Sequence, residues 1–521
     1  MPLQVYQMSA SYTRRMQQPT PLRTWLLLTV VFCTGACVLI LEILSTRILA
    51  PYFGNTIFAF SSIIGVTLVA LSIGYYAGGR LADARPYGSW FFAIIVLAGA
   101  SVFATKLLSV TLLAWYANHF SLVWGPLVFA IALFTVPCVH LGMLSPYAIR
   151  LLQSTQSSEG IGSLSGTVFF WSTLGSIAGT FFAGFLLIPL LGVQSILLSL
   201  GTFLLCLGGI GLIVNSRSQR VLVFLLLCFA LSALVAFLSM HDRPANIVYA
   251  EEGLYESIVV HDTNVDGRTV RFLRQNANLS SAIDRATGDL FFEYSRYYQL
   301  PLALHPAMQR ALVIGAGAFS IPQAIVNASS ATVDAVDPEP HLREIARRYF
   351  GVEESDRLRT HVADGRSFLR GTEGRYDLIF SDAYQNFHSI PPHLLTREFF
   401  ETARSALSDR GVFVVNFIGR MTDERPSLLW SAVRTFKAVF PQSSFFAVDS
   451  LETTGTQNII FVGCGRAECA DPCTSILRSR ATSFLRKACA QQLSVDAIDV
   501  EHYALLTDDY VPVEYLAARS L

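Results

Sequence analysis

Three aspartates lie directly after predicted strands in the second half of this 521-residue chain: Asp337, Asp364 and Asp382. Carboxylates at the ends of parallel strands face the crevice in which open α/β sheets bind ligands. Asp337 and Asp364 could accept hydrogen bonds from a nucleoside, and Asp382 could bind or deprotonate an amine. The structural alternative is that Asp364 is a turn residue and that the other two cap helices.

A glycine turn precedes these aspartates. The apolar run 311–314 leads into Gly315 and Gly317, and glycines there let the backbone approach a ligand and begin a helix. The motif lacks the third glycine of the dinucleotide fingerprint, so alone it fits any tight strand–helix turn. Asp337 lies twenty residues beyond Gly317, where a carboxylate can accept both ribose hydroxyl groups. Together the two features favour nucleoside binding.

The elements around these residues alternate in type. Apolar strand-like runs are separated by helical patterns such as 340–350 and 396–407. This alternation predicts a Rossmann-like α/β domain at 306–521 with a parallel, doubly wound sheet, preceded by a small β-rich segment at 245–305. The strand-like runs are 257–261, 311–314, 332–336, 378–381 and 412–417.

The first half has a different composition. Hydrophobic residues make up 52% of the whole chain and charged residues 15%, whereas about 25% charged is usual in soluble domains. After an N-terminal tail at 1–24, we expect a multi-pass α-helical membrane domain at 25–240 with about seven helices, which makes the lipid bilayer a partner. The apolar runs are about 25–48, 57–79, 89–112, 122–147, 164–190, 192–214 and 221–240.

The charge distribution predicts an orientation. Residues 1–240 carry a formal charge of +7 and the remainder −7, and neither half has the basic surplus of a nucleic-acid-binding protein. Arginines precede the first apolar run and follow the second, fourth and sixth, so the N-terminus is predicted to be cytoplasmic in a cell (inner) membrane. With seven spans, the α/β domain would emerge on the opposite side.

Four cysteines cluster late in the chain, at Cys464, Cys469, Cys473 and Cys489. They show no CxxC spacing, so we expect no metal site. An even-numbered cluster suits disulfides in an oxidising compartment, which agrees with the charge pattern. The sequence leaves the face of the α/β domain open.

The order of these motifs resembles the spermidine/spermine synthase family. The stretch 333–350, the pair Asp364-Gly365, and Asp382 carry the resemblance over about 247–420. It implies a methyltransferase-type fold and aminopropyl transfer from decarboxylated S-adenosylmethionine to an amine such as putrescine. By this resemblance Asp337 binds the ribose, Asp364-Gly365 lies at the adenine and Asp382 is the catalytic base.

Several positions depart from that family's pattern on the amine side. Glu256 stands where a ligand-binding Gln is usual, and Tyr294 where the first residue of a His-Glu pair is usual. Ala318 and Gln385 replace aspartates that hold the donor's amino group and the acceptor. We therefore expect Glu256, Tyr294 and Gln385 to contact substrate.

In the first half, the stretches 35–54 and 74–83 are similar to the membrane region of bacterial proteins that fuse a transporter-like part to a spermidine synthase-like domain. The stretch 506–514 near the C-terminus also resembles such fusion proteins. The resemblance implies no permanently bound cofactor, small-molecule substrates and a possible homodimer. Two alternatives remain at this point. One is an S-adenosylmethionine-dependent methyltransferase, and the other is a non-catalytic domain that senses a nucleoside or polyamine.

Overall fold

A computed structural model of the chain divides into two compact units, one lying mainly before Arg243 and one comprising mainly Arg243–Leu521. Each unit is described by itself. The structure describes residues 21–113, 119–156, 159–215, 230, 246–253, 256–276, 278–353, 355–372, 374–384, 391–422, 425–453, 455–465, 471–477 and 482–520.

The first unit is helical. Its helices are α1 (Pro21–Phe53), α2 (Ile57–Ala84), α3 (Gly88–Leu108), α4 (Gly125–Gly142), α5 (Leu144–Thr155), α6 (Ile161–Phe182), α7 (Ile188–Leu190) and α8 (Val193–Asn215). They form six segments that are long and apolar enough to cross a membrane within the described ranges. These six correspond to the first six predicted runs. The predicted seventh run, 221–240, and residues 1–20 of the predicted tail lie outside the described residues.

Polar groups inside the helical unit meet partners on neighbouring helices. Pro137 lacks an N–H, so the carbonyl of Leu133 one turn earlier loses its usual donor within α4. The Thr105 hydroxyl of α3 donates to that carbonyl at 2.7 Å. His140 Nδ1 lies 3.4 Å from the Ser101 hydroxyl. In apolar surroundings these contacts satisfy groups that would otherwise be costly to bury.

The second unit begins with a small antiparallel sheet. Its strands pair in chain order: β1 (Ile247–Glu252), β2 (Ser257–Val265), β3 (Arg268–Gln275) and β4 (Asn278–Asp284). Buried residues such as Ile258 and Leu273 pack against Phe319 and Ile345 of the following domain. The small sheet therefore covers the loop that follows the first strand of the large sheet.

The large sheet has seven strands in the order β10-β11-β9-β8-β5-β6-β7. The five strands from β9 to β7 are parallel, and β11 and β10 add an antiparallel edge. The strands are β5 (Arg310–Ile314), β6 (Thr332–Asp337), β7 (Leu358–Val362), β8 (Tyr376–Ser381), β9 (Leu407–Arg420), β10 (Ser444–Ala447) and β11 (Thr456–Cys464). This is a methyltransferase-type α/β fold, as the sequence predicts.

Helices cover both faces of this sheet, and a buried aliphatic and aromatic core lies on each side. The helices are α9 (Gln299–Leu304), α10 (Ser320–Ala328), α11 (Leu342–Tyr349), α12 (Gly365–Arg370), α13 (Arg397–Ser405), α14 (Leu428–Val439), α15 (Pro472–Leu477), α16 (Ser483–Ala490) and α17 (Val513–Ser520). Short 3₁₀ turns span Tyr294–Tyr298, Pro392–Leu394, Val495–Ala497 and Val500–His502.

Chain order reverses between β5 and β8. The chain moves from β5 outward through β6 to β7, then returns to pair β8 on the other side of β5. Such a reversal opens a crevice at the carboxyl ends of the strands, where ligands bind in this class of sheet. The glycine turn and the three aspartates all follow these strands, so the fold brings them to one edge.

One disulfide joins Cys473 and Cys489 at the far edge of the sheet. Cys464 is also disulfide-bonded, and Cys469 lies outside the described residues. The free cysteines that the structure describes are Cys33, Cys37, Cys138 and Cys206, all in the helical unit. The disulfide prediction for the late cluster therefore holds for Cys473 and Cys489.

Candidate active site

The glycine loop (residues 315–319) connects β5 to α10 and packs directly on the backbone of Asp382. Gly315 has φ +80°, and a Cβ there would lie 2.4 Å from the Asp382 carbonyl oxygen. The Asp382 amide in turn donates to the Ile314 carbonyl at 2.8 Å. Only glycine fits this approach, so the loop and the start of the segment after β8 form one rigid edge.

Asp337 ends β6 and holds the glycine loop through the loop's own amides. Its Oδ2 accepts from the N–H groups of Ala316 and Gly317 at 3.0 and 3.2 Å, and its Oδ1 accepts from the Glu339 N–H at 3.0 Å. Burial raises the pKa of Asp337 to about 6, although these three amides act to lower it. The carboxylate is thus oriented by backbone groups, and one lone-pair position on Oδ1 remains for a ligand hydroxyl.

A second acidic side chain lies near Asp337. Glu256 precedes β2, and Gln275 at the end of β3 donates an amide hydrogen bond to its carboxyl group. Burial raises the pKa of Glu256 to about 8, and the charges of Asp337 and Glu339 raise it further against the Gln275 hydrogen bond. At neutral pH Glu256 therefore carries a proton in most molecules and can act as donor or acceptor, as an amide would.

Asp364 caps α12 and has a second partner in the chain after β8. Its Oδ1 accepts from the Ser367 amide at 2.8 Å, and its Oδ2 lies 2.8 Å from His393 Nε2. Burial acts to raise the pKa of Asp364, but these hydrogen bonds outweigh it and hold the pKa below its usual value. A Cβ on the adjacent Gly365 would lie 2.2 Å from Ile314 Cγ2, so this turn packs tightly against β5.

Asp382 follows β8 and is held by side chains rather than by backbone amides. Asn416 Nδ2 of β9 donates to Asp382 Oδ1 at 2.8 Å, and Asn458 Nδ2 of β11 donates to Asn416 Oδ1 at 2.9 Å. Burial raises the pKa of Asp382 to about 7, while hydrogen bonds from Asn416 and Tyr294 lower it. A carboxyl group that titrates near neutral pH is suited to accepting a proton.

Tyr294 approaches Asp382 from the segment after the small sheet. Its hydroxyl lies 3.2 Å from the Ser280 carbonyl oxygen and is also hydrogen-bonded with the Asp382 carboxyl group. Burial and the neighbouring Asp382 raise the pKa of Tyr294 well above its usual value, so the phenol stays protonated. Its single proton can serve only one of these two acceptors at a time.

Most of the predicted site residues meet at one edge of the sheet, including Gly315, Gly317, Asp337, Asp382 and Tyr294. Gln385 lies outside the described residues, and its predicted contact with substrate remains a prediction. Sequence reasoning missed Asn416, Asn458, Gln275 and His393. Of these, only Asn416 carries a signal, because it is a polar residue inside the apolar run 412–417.

Fold and site together define an α/β domain of the methyltransferase type with acidic side chains at the point where strand order reverses. Comparison with known sequences is more specific: residues 291–470 match the spermine/spermidine synthase domain. A polyamine aminopropyltransferase of Vibrio vulnificus is 29% identical over 322 residues, which cover 58% of this chain and 99% of the relative. This part of the α/β unit is therefore similar in sequence to spermidine synthases and polyamine aminopropyltransferases.

Two further relatives differ in how much of the chain they cover. Polyamine aminopropyltransferase 2 of Streptomyces coelicolor is 24% identical over 457 residues, 82% of this chain and 80% of the relative, so the match extends into the helical unit. The eEF1A lysine and N-terminal methyltransferase of Homo sapiens is 32% identical over 155 residues, 27% of this chain and 21% of the relative.

Proposed function

We propose that this protein is a membrane-anchored aminopropyltransferase that moves an aminopropyl group from decarboxylated S-adenosylmethionine to an amine such as putrescine. The observation that carries the proposal is the Asp382 carboxyl group. It lies beside the glycine loop at the point where strand order reverses, and its pKa of about 7 is that of an effective base at neutral pH.

The donor nucleoside would occupy the crevice above β5 and β6. Asp337 would accept a ribose hydroxyl at the free lone-pair position of Oδ1. The backbone of Gly315 and Gly317 would lie against the sulfur end, and Asp364-Gly365 would contact the adenine. Glu256 would take the position of an amide ligand, a role that its mostly protonated state at neutral pH permits.

The acceptor amine would bind between Asp382 and Tyr294, with Gln385 on the same side. Ionised Asp382 accepts a proton from the amine nitrogen, whose lone pair then attacks the propyl carbon attached to sulfur. The new C–N bond forms as the C–S bond breaks, and the bonding electrons return to sulfur to give methylthioadenosine. The sulfonium is already a good leaving group, so the residues need only orient the reactants and take the proton.

The six apolar helices support the membrane-anchored part of the proposal. The arginine pattern further predicts that loops after Arg85 and after Arg220 are cytoplasmic. Reporter fusions at these two sites test the topology. A signal from the opposite side at either site would contradict the predicted span order.

Methyl transfer from S-adenosylmethionine is a second candidate, favoured by the match to the eEF1A methyltransferase. The two activities differ in the donor consumed and in the mass added to the acceptor. The residue at position 318 does not distinguish the two donors. The Ala318 side chain is fully buried and offers no charged group to the amino end of either donor.

The test is product identification with the purified full-length protein. We would incubate it with decarboxylated or ordinary S-adenosylmethionine and a panel of amines, and identify products by mass spectrometry. We expect methylthioadenosine together with an aminopropylated amine. Methylated products formed only from ordinary S-adenosylmethionine would support the second candidate, and binding of methylthioadenosine without turnover of any amine would leave a sensor domain.

A further inference from the structure

The turn at residues 506–510 is fixed onto the start of α13 and onto α14. The Leu506 carbonyl accepts from the Arg397 amide at 2.9 Å, and the Leu506 amide donates to the Thr435 hydroxyl at 2.9 Å. The Asp508 amide donates to Glu398 Oε2 at 3.0 Å. This segment therefore holds a defined position within the α/β unit.

In that turn, the Asp508 carboxylate forms a bidentate salt bridge with Arg366. Arg366 NH1 and NH2 lie 2.7 and 2.5 Å from the two carboxylate oxygens. The Arg366 side chain is only 8% exposed, whereas that of Asp508 is 40% exposed. Hydrogen bonding to Arg366 lowers the pKa of Asp508, so the pair stays ionised at neutral pH. Bidentate pairs of this kind fix geometry as well as charge.

Arg366 also contacts the backbone of His393 and so links Asp508 to this residue. Its NH1 also donates to the His393 carbonyl at 3.2 Å. The His393 ring lies 2.8 Å from Asp364 Oδ2, and the other oxygen of Asp364 is taken by the Ser367 amide at 2.8 Å. Both oxygens of Asp364 therefore have fixed partners, which leaves the carboxylate in a single orientation.

We propose that Asp508 is a positioning residue for adenine recognition and acts through Arg366 and His393 on Asp364. The inference rests on the proposed function, in which Asp364 lies at the adenine. A carboxylate held in one orientation favours a 6-amino group, which can donate to it, over a 6-oxo group, whose oxygen it repels. Released from His393, the same carboxylate can turn away and discriminates less.

The chain offers a matched control in Asp509. It is the next residue and is also exposed, but the Arg366 contact belongs to Asp508. Asp508→Asn and Asp509→Asn make the same chemical change one position apart. Asp508→Glu keeps the charge and should retain part of the preference for the 6-amino ligand that Asp508→Asn loses.

The test is titration of the full-length protein in detergent with methylthioadenosine and with methylthioinosine, which carries a 6-oxo group. For Asp508→Asn we expect about a tenfold loss of preference for the adenine ligand, the size of one hydrogen bond. Asp509→Asn should keep the wild-type preference. A general loss of fold would weaken both ligands equally, so the ratio of affinities separates positioning from stability.

His393→Ala provides a second test of the inference if Asp508→Asn fails to fold. It removes the contact with Asp364 but leaves the Arg366–Asp508 pair, and the His393 side chain is 44% exposed. It should lower the preference for methylthioadenosine as Asp508→Asn does. An unchanged ratio in both variants, or equal weakening of both ligands, overturns the inference. If the wild type binds neither ligand, the proposed function fails and the inference fails with it.

Discussion

The proposed donor and acceptor halves of the site hold the carboxylates of Asp337 and Asp382 in different ways. Asp337 is oriented by the backbone amides of residues 316, 317 and 339. Asp382 is held by the side chains of Asn416 and Tyr294. Backbone contacts follow from the fold and persist under substitution, whereas side-chain contacts change with a single residue. The part of the proposed donor half around Asp337 is thus fixed by the fold, whereas the contacts of Asp382 in the proposed acceptor half can be changed by single substitutions.

The largest effect is expected from Asp382→Asn. Asparagine keeps the shape but cannot accept a proton, so turnover should fall about 10²–10⁴-fold while methylthioadenosine still binds. Product formation measured by mass spectrometry at saturating donor checks this. Asp356→Asn, on the exposed surface of the same unit, is the control and should be fully active. Equal turnover of Asp382→Asn and the wild type would remove Asp382 from the mechanism.

Asp337→Ala should act on the other half. It removes the ribose contact together with the carboxylate that holds the glycine loop, so methylthioadenosine affinity should fall about 10–150-fold, or about 1.5–3 kcal/mol. Isothermal titration measures the loss. Asp337→Asn keeps one oxygen acceptor and should lose less. Unchanged affinity in Asp337→Ala would mean that the nucleoside binds elsewhere.

Tyr294→Phe should shift the pH dependence of turnover. The pKa of Asp382 is about 7, so below that pH the group carries a proton and cannot accept another, and activity falls as the pH drops through this value. The Tyr294 hydrogen bond lowers that pKa. Its removal should therefore move the acid limb upward by roughly half to one pH unit.

The comparison for Tyr294→Phe is made with the same acceptor as for the wild type, so the acceptor's own titration cancels. Tyr298→Phe, in the same 3₁₀ turn, is the matched control. Its profile should overlay that of the wild type. A downward shift in Tyr294→Phe would show that the hydroxyl stabilises the protonated carboxyl group instead.

The smallest effect is expected from Asn458→Ala. Asn458 reaches Asp382 only through the Asn416 amide, which it orients at 2.9 Å. Without it the Asn416 amide is less well aligned, and the acid limb should move upward by less than about half a pH unit. A shift as large as that of Tyr294→Phe would mean that Asn458 contacts the site directly.

The sequence predicts the donor half better than the acceptor half, for a physical reason. Asp337 ends β6 and Asp364 caps α12 just after β7, and the backbone partners of both lie within a short stretch of chain or in the adjoining glycine turn. The partners of Asp382 come from β9, β11 and the segment after β4, which only the folded sheet brings together. The Arg366–Asp508 contact spans 142 positions, and no local pattern indicates it.

In the large sheet, the central parallel strands were predicted from the sequence and the antiparallel edge was not. Strand-like runs at 311–314, 332–336 and 378–381 fall within β5, β6 and β8. The antiparallel pairing of β10 and β11 at the edge was not predicted, because pairing direction depends on a connection that composition does not reveal. Asn458 lies on β11, so the missed strand and the missed partner of Asn416 share one cause.

We propose that this site binds a nucleoside in one half and removes a proton from the acceptor in the other. The most direct test measures turnover with decarboxylated S-adenosylmethionine and methylthioadenosine affinity on the same preparations of wild type, Asp382→Asn and Asp337→Ala. We predict that Asp382→Asn loses turnover and keeps its affinity for methylthioadenosine, and that Asp337→Ala loses this affinity. Loss of both turnover and methylthioadenosine affinity in each variant would contradict this proposal. Loss of affinity in Asp382→Asn alone would contradict it as well.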